Sequence, residues 1–158
     1  MESLCRRINA AMEYGLAGMG LLMAAIVAVQ VFCRYVLNHS LFWSEEVARF
    51  LLVWLTFLGA TVAYYRGAHP GVDALYNRLP ASAQKACRVG VHLLSLAFFA
   101  VMTLYGVRFA YFVRLQITPA LSLPKWLPFA VIPCSGAVLA LHALAFLLRE
   151  LKGTGGKA

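Results

Sequence analysis

The sequence predicts an all-α polytopic membrane protein with four transmembrane helices. Of its 158 residues, 62% are hydrophobic and 13% are charged, which is about half the charged fraction of a typical soluble domain. The apolar residues form four long continuous stretches, and each contains the roughly 20 residues that a helix needs to cross the hydrocarbon core. Continuous apolar runs without strict alternation favour helices over the strands of a membrane barrel.

The predicted helices cover about residues 8–36, 41–65, 89–113 and 126–148, within a single membrane domain of residues 1–158. The apolar run of the first helix is too long for the apolar region of a signal peptide. The first two helices are separated by residues 37–40 alone, so they should form a tight helical hairpin. In the fourth helix, Pro128 lies close to the start, whereas Pro133 removes an internal hydrogen bond and should kink the helix.

The segment between the second and third helices is predicted to contain a short interfacial helix at about residues 71–79. Val72, Leu75, Tyr76 and Leu79 follow the i, i+3, i+4, i+7 spacing of an amphipathic helix. A helix of this kind lies in the plane of the membrane surface. His69, which precedes Pro70, is interpreted as a residue of the turn that leads into this helix.

The basic residues predict that both termini are cytoplasmic. If the two termini share one side of the membrane, nine lysines and arginines lie on that side and five on the other. The positive-inside rule places the richer side in the cytoplasm. Membrane topology and contact with anionic lipid account for the net charge of +8, so no nucleic-acid partner is expected.

A group of charged residues near the predicted outer membrane surface is the main candidate site. It contains two adjacent carboxylates, three arginines and a tryptophan: Arg34, Trp43, Glu45, Glu46, Arg49 and Arg108. Charges at membrane depth are costly and are usually paired or functional. One hypothesis is structural: Glu45 and Glu46 pair with Arg34, Arg49 or Arg108 and fix the helices in register. The other is that a carboxylate binds a transported cation or proton. We favour the structural hypothesis because neighbouring arginines keep carboxylates ionised and occupied.

The ordered motif around this cluster resembles the small membrane subunit of tripartite ATP-independent periplasmic (TRAP) transporters. The resemblance runs from residue 34 to about residue 136. It is carried by Arg34-Tyr35, Trp43-Ser44-Glu45-Glu46-x-x-Arg49, Gly59-Ala60, His69, Val72-Asp73, Pro119-Ala-Leu, Pro124-x-Trp126 and Pro133. The Trp-Ser-Glu-Glu-x-x-Arg block is its most specific part.

The resemblance implies an accessory role in a bacterial inner-membrane transporter. In this family a periplasmic binding protein captures an organic acid, such as a dicarboxylate or a sugar acid. A large multispanning subunit carries the substrate and sodium sites, and the small subunit binds that large subunit as a scaffold and helps to dock the binding protein. The chain is therefore expected to be no enzyme and to hold no catalytic, substrate or metal site and no cofactor. Its outer cluster, and His69 with Asp73 at the cytoplasmic turn, would be structural. Gly15, Gly18 and Gly20 would allow close helix contact.

Two alternatives remain open at this stage. His92 and His142 lie at similar predicted depth on adjacent helices and could ligate a haem, as in membrane anchors of respiratory oxidoreductases. A small self-contained exporter would instead need a lone carboxylate deep in a helix. Glu13 is the only candidate in the first helix, and it lies at the cytoplasmic boundary, where Lys85 or Arg88 is the expected salt partner.

Overall fold

The computed structural model describes residues 2–67 and 80–151, and these residues form five α-helices. They are α1 (Glu2–Tyr35), α2 (Phe42–Tyr65), α3 (Ala81–Phe112), α4 (Trp126–Phe129) and α5 (Val131–Leu151). Four spans are long and apolar enough to cross a membrane: Cys5–Tyr35, Phe42–Tyr65, Ala83–Phe112 and Trp126–Leu151. The predicted all-α class with four spanning helices is confirmed. The predicted interfacial helix, with His69 and Asp73, lies outside the described residues.

The fourth span is interrupted at Ala130, between α4 and α5. Pro133 explains the position of this break. It has no N–H to donate to the carbonyl of Phe129, and its ring crowds the same carbonyl. Hydrogen bonding continues on either side, from Ala130 N–H to Trp126 O at 2.8 Å and from Cys134 N–H to Ala130 O at 3.2 Å. The break therefore lies where Pro133 is predicted to remove a hydrogen bond, and the kink itself stays a prediction.

The helices pack as two pairs that are joined through α5. α1 packs on α2, α3 packs on α5, and α2 also contacts α5. In the most apolar stretch of the fourth span 39% of residues are buried, against 6% in each of the first two spans and 11% in the third. α5 is therefore the central helix, whereas most of the α1 surface is left without a contact from the described part of the chain.

The close approach of α3 and α5 depends on two glycines. A Cβ built on Gly136 would lie 2.6 Å from Thr103 Oγ1 and 3.2 Å from the backbone nitrogen of Thr103. A Cβ on Gly106 would lie 3.1 Å from the ring of Pro133. Small residues of this kind let membrane helices approach closely. Gly15, Gly18 and Gly20 make no such contact among the described residues, because no atom would lie within 4 Å of a Cβ at those positions. Their predicted role in close helix contact with a partner stays a prediction.

Ion pairs join each helix pair at the end of the bundle that holds the chain termini, called here the terminal end. Glu13 in α1 pairs with Arg66 at 2.6 Å, just beyond α2, and Arg88 in α3 pairs with Glu150 in α5 at 2.7 Å. The hydrogen bond to Glu13 raises the pKa of Arg66. The predicted pairing of Glu13 with Lys85 or Arg88 is wrong because α1 packs on α2 and not on α3.

Candidate functional site at the loop end

The opposite end of the bundle, called here the loop end, contains an ordered turn between α3 and α4. Within this 116–125 loop, the N–H of Lys125 donates to Gln116 O at 2.8 Å and the N–H of Thr118 donates to Leu123 O at 2.9 Å. The buried hydroxyl of Thr118 also accepts the N–H of Leu123 at 3.1 Å. Ser122 has a positive φ of 53° and completes the reversal of the chain. The loop thus has a defined conformation.

Glu46 connects this loop to α2. Its Oε2 accepts the backbone N–H groups of Ala120 and Leu121, each at 2.9 Å. Two successive N–H groups that converge on one oxygen form the kind of concave donor site that suits an anion. The carboxylate therefore binds a loop that follows it by more than 70 residues in the sequence.

The start of α2 is held by its own buried serine. Ser44 is completely buried, and its hydroxyl donates to the carbonyl of Leu41 at 2.6 Å. The neighbouring Trp43 is 44% exposed, as expected for an aromatic side chain at a membrane boundary. Ser44 therefore orients the first turn of α2, from which Glu45 and Glu46 extend.

The arginines of the cluster do not bind the two carboxylates. In the described part of the chain, no ion pair joins Glu45 or Glu46 to Arg34, Arg49 or Arg108. The guanidinium carbon of Arg108 lies 5.6 Å from the ring centre of Tyr105, and Glu45 Oε1 lies 3.5 Å from Gln30 Nε2. The predicted pairing is wrong because backbone amides of the 116–125 loop occupy Glu46 instead.

A cleft of about 520 Å³ separates the start of α2 from the end of α3 and the 116–125 loop. Its polar lining consists of Glu45, Glu46, Arg49, Gln116, Thr118 and Lys125. Lys125 Nζ donates to Gln116 Oε1 at 3.2 Å. The two carboxylates and the two cations give the lining no net formal charge.

Aromatic side chains form much of the remaining wall of the cleft. Phe50 of α2, Phe109 of α3 and Phe129 of α4 all line it. The rings of Phe109 and Phe129 meet edge to face with their centres 5.1 Å apart. The cleft therefore combines charged groups with an apolar aromatic wall.

Only part of the predicted cluster belongs to this cleft. Glu45, Glu46 and Arg49 line it, whereas Arg34, Trp43 and Arg108 do not. Sequence reasoning missed Gln116, Lys125 and the amides of the 116–125 loop. Pro119 and Pro124 are typical of a turn, but prolines do not indicate which way the amides of the turn point.

The two histidines of the haem hypothesis lie towards the terminal end. His142 is completely buried, and its ring centre lies 5.0 Å from that of Tyr65. His92 lies 6.0 Å from the ring of Phe146. Both histidines thus take part in aromatic packing between helices. Haem binding itself stays an untested prediction.

Comparison with known protein families identifies the family of this chain. Residues 23–153 match the family described as tripartite ATP-independent periplasmic transporters, DctQ component. This match covers most of the chain, including the motif from Trp43 to Arg49, the 116–125 loop and the fourth span. The chain belongs to the DctQ family. That family is the DctQ component of TRAP transporters, and the four long apolar spans of this chain fit a multi-pass membrane protein.

Individual relatives agree with the DctQ assignment. A small permease relative from Haemophilus influenzae is 38% identical over 84 residues, or 53% of this chain and 52% of that protein. The ectoine TRAP transporter small permease protein TeaB of Halomonas elongata is 27% identical over 83% of this chain and 69% of its own length. The isethionate TRAP transporter permease protein DctMQ of Oleidesulfovibrio alaskensis is 28% identical over 88% of this chain. This chain therefore spans about half of the first relative, and the aligned part is 23% of DctMQ.

Proposed function

We propose that this subunit binds the large permease subunit of a TRAP transporter and acts as a scaffold for it. The observation that carries the proposal is the alignment with DctMQ, which covers 88% of this chain but only 23% of that permease. In DctMQ, a segment similar to this chain is thus covalently joined to a much longer permease sequence. A separate chain of the same family would need a noncovalent interface to remain with an equivalent partner.

The exposed surface of α1 supports this role. Tyr14 and Leu21 are 82% and 74% exposed, and Gly18 is open to its surroundings. Small residues on an apolar helix allow a second helix to approach closely. We propose the Gly18 face of α1 as the surface on which the large subunit packs.

The proposed complex is an importer of the bacterial inner membrane. It would take up an organic acid, such as a dicarboxylate or sugar acid, captured by a periplasmic binding protein and driven by sodium. The substrate and sodium sites would lie on the large subunit. The loop end of this chain would face the periplasm, where it could contact the binding protein.

Affinity purification of the tagged full chain from its native membrane tests the complex. The expected product contains a multispanning TRAP large permease subunit, and recovery of a stable homodimer alone would contradict the proposal. Gly18→Ile should reduce recovery of the large subunit, because a branched side chain keeps the helices apart. Gly90→Ile is the matched control, since Gly90 on α3 is also open. Equal losses in both variants would argue against the Gly18 face.

Reconstitution separates the scaffold role from transport by this chain itself. Sodium-driven uptake of the organic acid is expected only when the large subunit is also in the vesicle membrane and the binding protein is added outside. Uptake or proton-driven efflux by this chain alone would contradict the scaffold role and favour the exporter hypothesis.

A further inference from the structure

We propose that the loop-end cleft binds the headgroup of phosphatidylethanolamine, with its phosphate at Arg49 and its ammonium at Glu45. The proposal does not depend on the identity of the large subunit or of the substrate. It rests on the position of Arg49, the charge balance of the cleft and the aromatic side chains beside it.

Arg49 lies where an isolated charge is costly. It is seven residues into α2, or about 10 Å along the helix axis from its start. No carboxylate of the described residues forms an ion pair with it, although Glu45 lies one turn earlier in the same helix. A guanidinium at this depth requires an anion or water, and an arginine side chain can extend towards the phosphate layer.

The charge balance of the cleft favours a zwitterion over a simple anion. Arg49 and Lys125 balance Glu45 and Glu46 in formal charge. Glu46 already accepts the amides of Ala120 and Leu121, whereas Lys125 uses one of its three donors on the neutral Gln116 and keeps its charge. Arg49 and Glu45 lie one turn apart in α2, and the only side-chain hydrogen bond of Glu45 in the described residues is the long contact of 3.5 Å with Gln30. A phosphate next to a primary ammonium complements this pair. A quaternary ammonium has no N–H to donate to Glu45, and phosphatidylglycerol carries no cation.

The aromatic wall of the cleft supplies the site for the acyl chains. Phe50, Phe109 and Phe129 line the same cavity as the charged groups, and the nearby Phe42 is 84% exposed. A polar headgroup site continuous with an apolar surface suits a phospholipid better than a free phosphate compound. Glycerophosphoethanolamine, which has the headgroup without acyl chains, should therefore compete poorly.

Native mass spectrometry of the purified full chain tests this site. The protein would be stripped of lipid in mild detergent and titrated with equal amounts of phosphatidylethanolamine, phosphatidylcholine and phosphatidylglycerol. Wild-type protein should retain phosphatidylethanolamine preferentially. Arg49→Gln should lower its apparent affinity by about tenfold, the effect of losing one charge-assisted hydrogen bond. Arg49→Lys, which keeps the charge, should retain most of the binding and controls for misfolding.

A second variant separates the two halves of the headgroup. Glu45→Gln should remove the preference for phosphatidylethanolamine over phosphatidylglycerol while phosphate binding persists. Arg108→Gln is the matched control because Arg108 also lies near the loop end but does not line the cleft. Equal losses in Arg49→Gln and Arg108→Gln, an unchanged preference in Glu45→Gln, or equal competition by glycerophosphoethanolamine would each overturn the proposal.

Discussion

Glu46 differs from its neighbour Glu45 in what it binds, although the two are adjacent in the sequence. Glu46 accepts two amide hydrogens, whereas Glu45 is exposed and has only a long contact with Gln30. The amides of Ala120 and Leu121 lie in a turn between two prolines, where no ladder of backbone carbonyls is available to them. A buried or half-buried N–H without a partner is costly. Glu46 thus holds the 116–125 loop against α2.

Removing the Glu46 carboxylate should release this loop. Glu46→Ala leaves both amides unpaired and should destabilise the fold by about 1–2 kcal/mol, since the side chain is only partly buried. Glu46→Gln keeps a carbonyl acceptor and should have a smaller effect. Hydrogen exchange of peptides that cover residues 116–125 gives the measurement, with Glu45→Gln as the control. Unchanged exchange in Glu46→Ala would show that the loop does not depend on this carboxylate.

The partners of the charged side chains were the feature of the fold least predictable from the sequence. Helical spacing placed Glu45, Glu46 and Arg49 at one end of α2, and all three line one cleft. Their partners could not be inferred, because a loop far along the chain supplies the donors to Glu46. The same limit applies to Glu13. Its position near the terminal end was readable from the sequence, but its partner Arg66 follows from which helices pack together.

The packing of α3 against α5 forms the buried core, which contains Phe99, Leu139 and Ala143. Gly136 faces Thr103 so closely that any side chain would collide with its hydroxyl and its backbone. Pro133, one turn earlier, approaches Gly106 and displaces the start of the helix. The proline distortion was predictable because its cause lies within one helix. The glycine contacts were not predictable, because they depend on how two helices are rotated about their axes.

Gly136→Ala should separate α3 from α5. The added methyl group requires Thr103 to move, and overpacking of this kind costs about 1–3 kcal/mol. Thermal unfolding in detergent should therefore occur at a lower temperature than in the wild type. Gly59→Ala, at an open position on α2, is the control and should not lower it. The double variant Gly136→Ala/Thr103→Ala should recover part of the lost stability. It removes the contact with the Thr103 hydroxyl but keeps the close contact with the Thr103 backbone. Equal stability of Gly136→Ala and the wild type would contradict this packing.

The two ends of the helix bundle differ in the groups that their charged side chains bind. The terminal end has ion pairs within each helix pair. At the loop end, Glu46 binds backbone amides, and no ion pair of the described residues involves Arg34, Arg49 or Arg108. Charges without partners in the same chain are expected where lipid headgroups or other subunits approach. The four membrane spans were evident from the apolar runs, whereas this difference between the two ends required the structure.

The orientation of the bundle remains a prediction of the positive-inside rule, and cysteine accessibility tests it. Cys87 is exposed near the start of α3, at the terminal end, and Ser40 lies in the short connection between α1 and α2, at the loop end. A membrane-impermeant maleimide should label Ser40→Cys in intact cells with a permeabilised outer membrane. It should label Cys87 only after the inner membrane is opened. A thiol within the lipid reacts poorly, because the thiolate is the nucleophile and an apolar environment disfavours it. Labelling therefore reports the thiols that are exposed to water. The reverse order of labelling would place the termini outside the cytoplasm, and the loop-end cleft would then face the cytoplasmic leaflet.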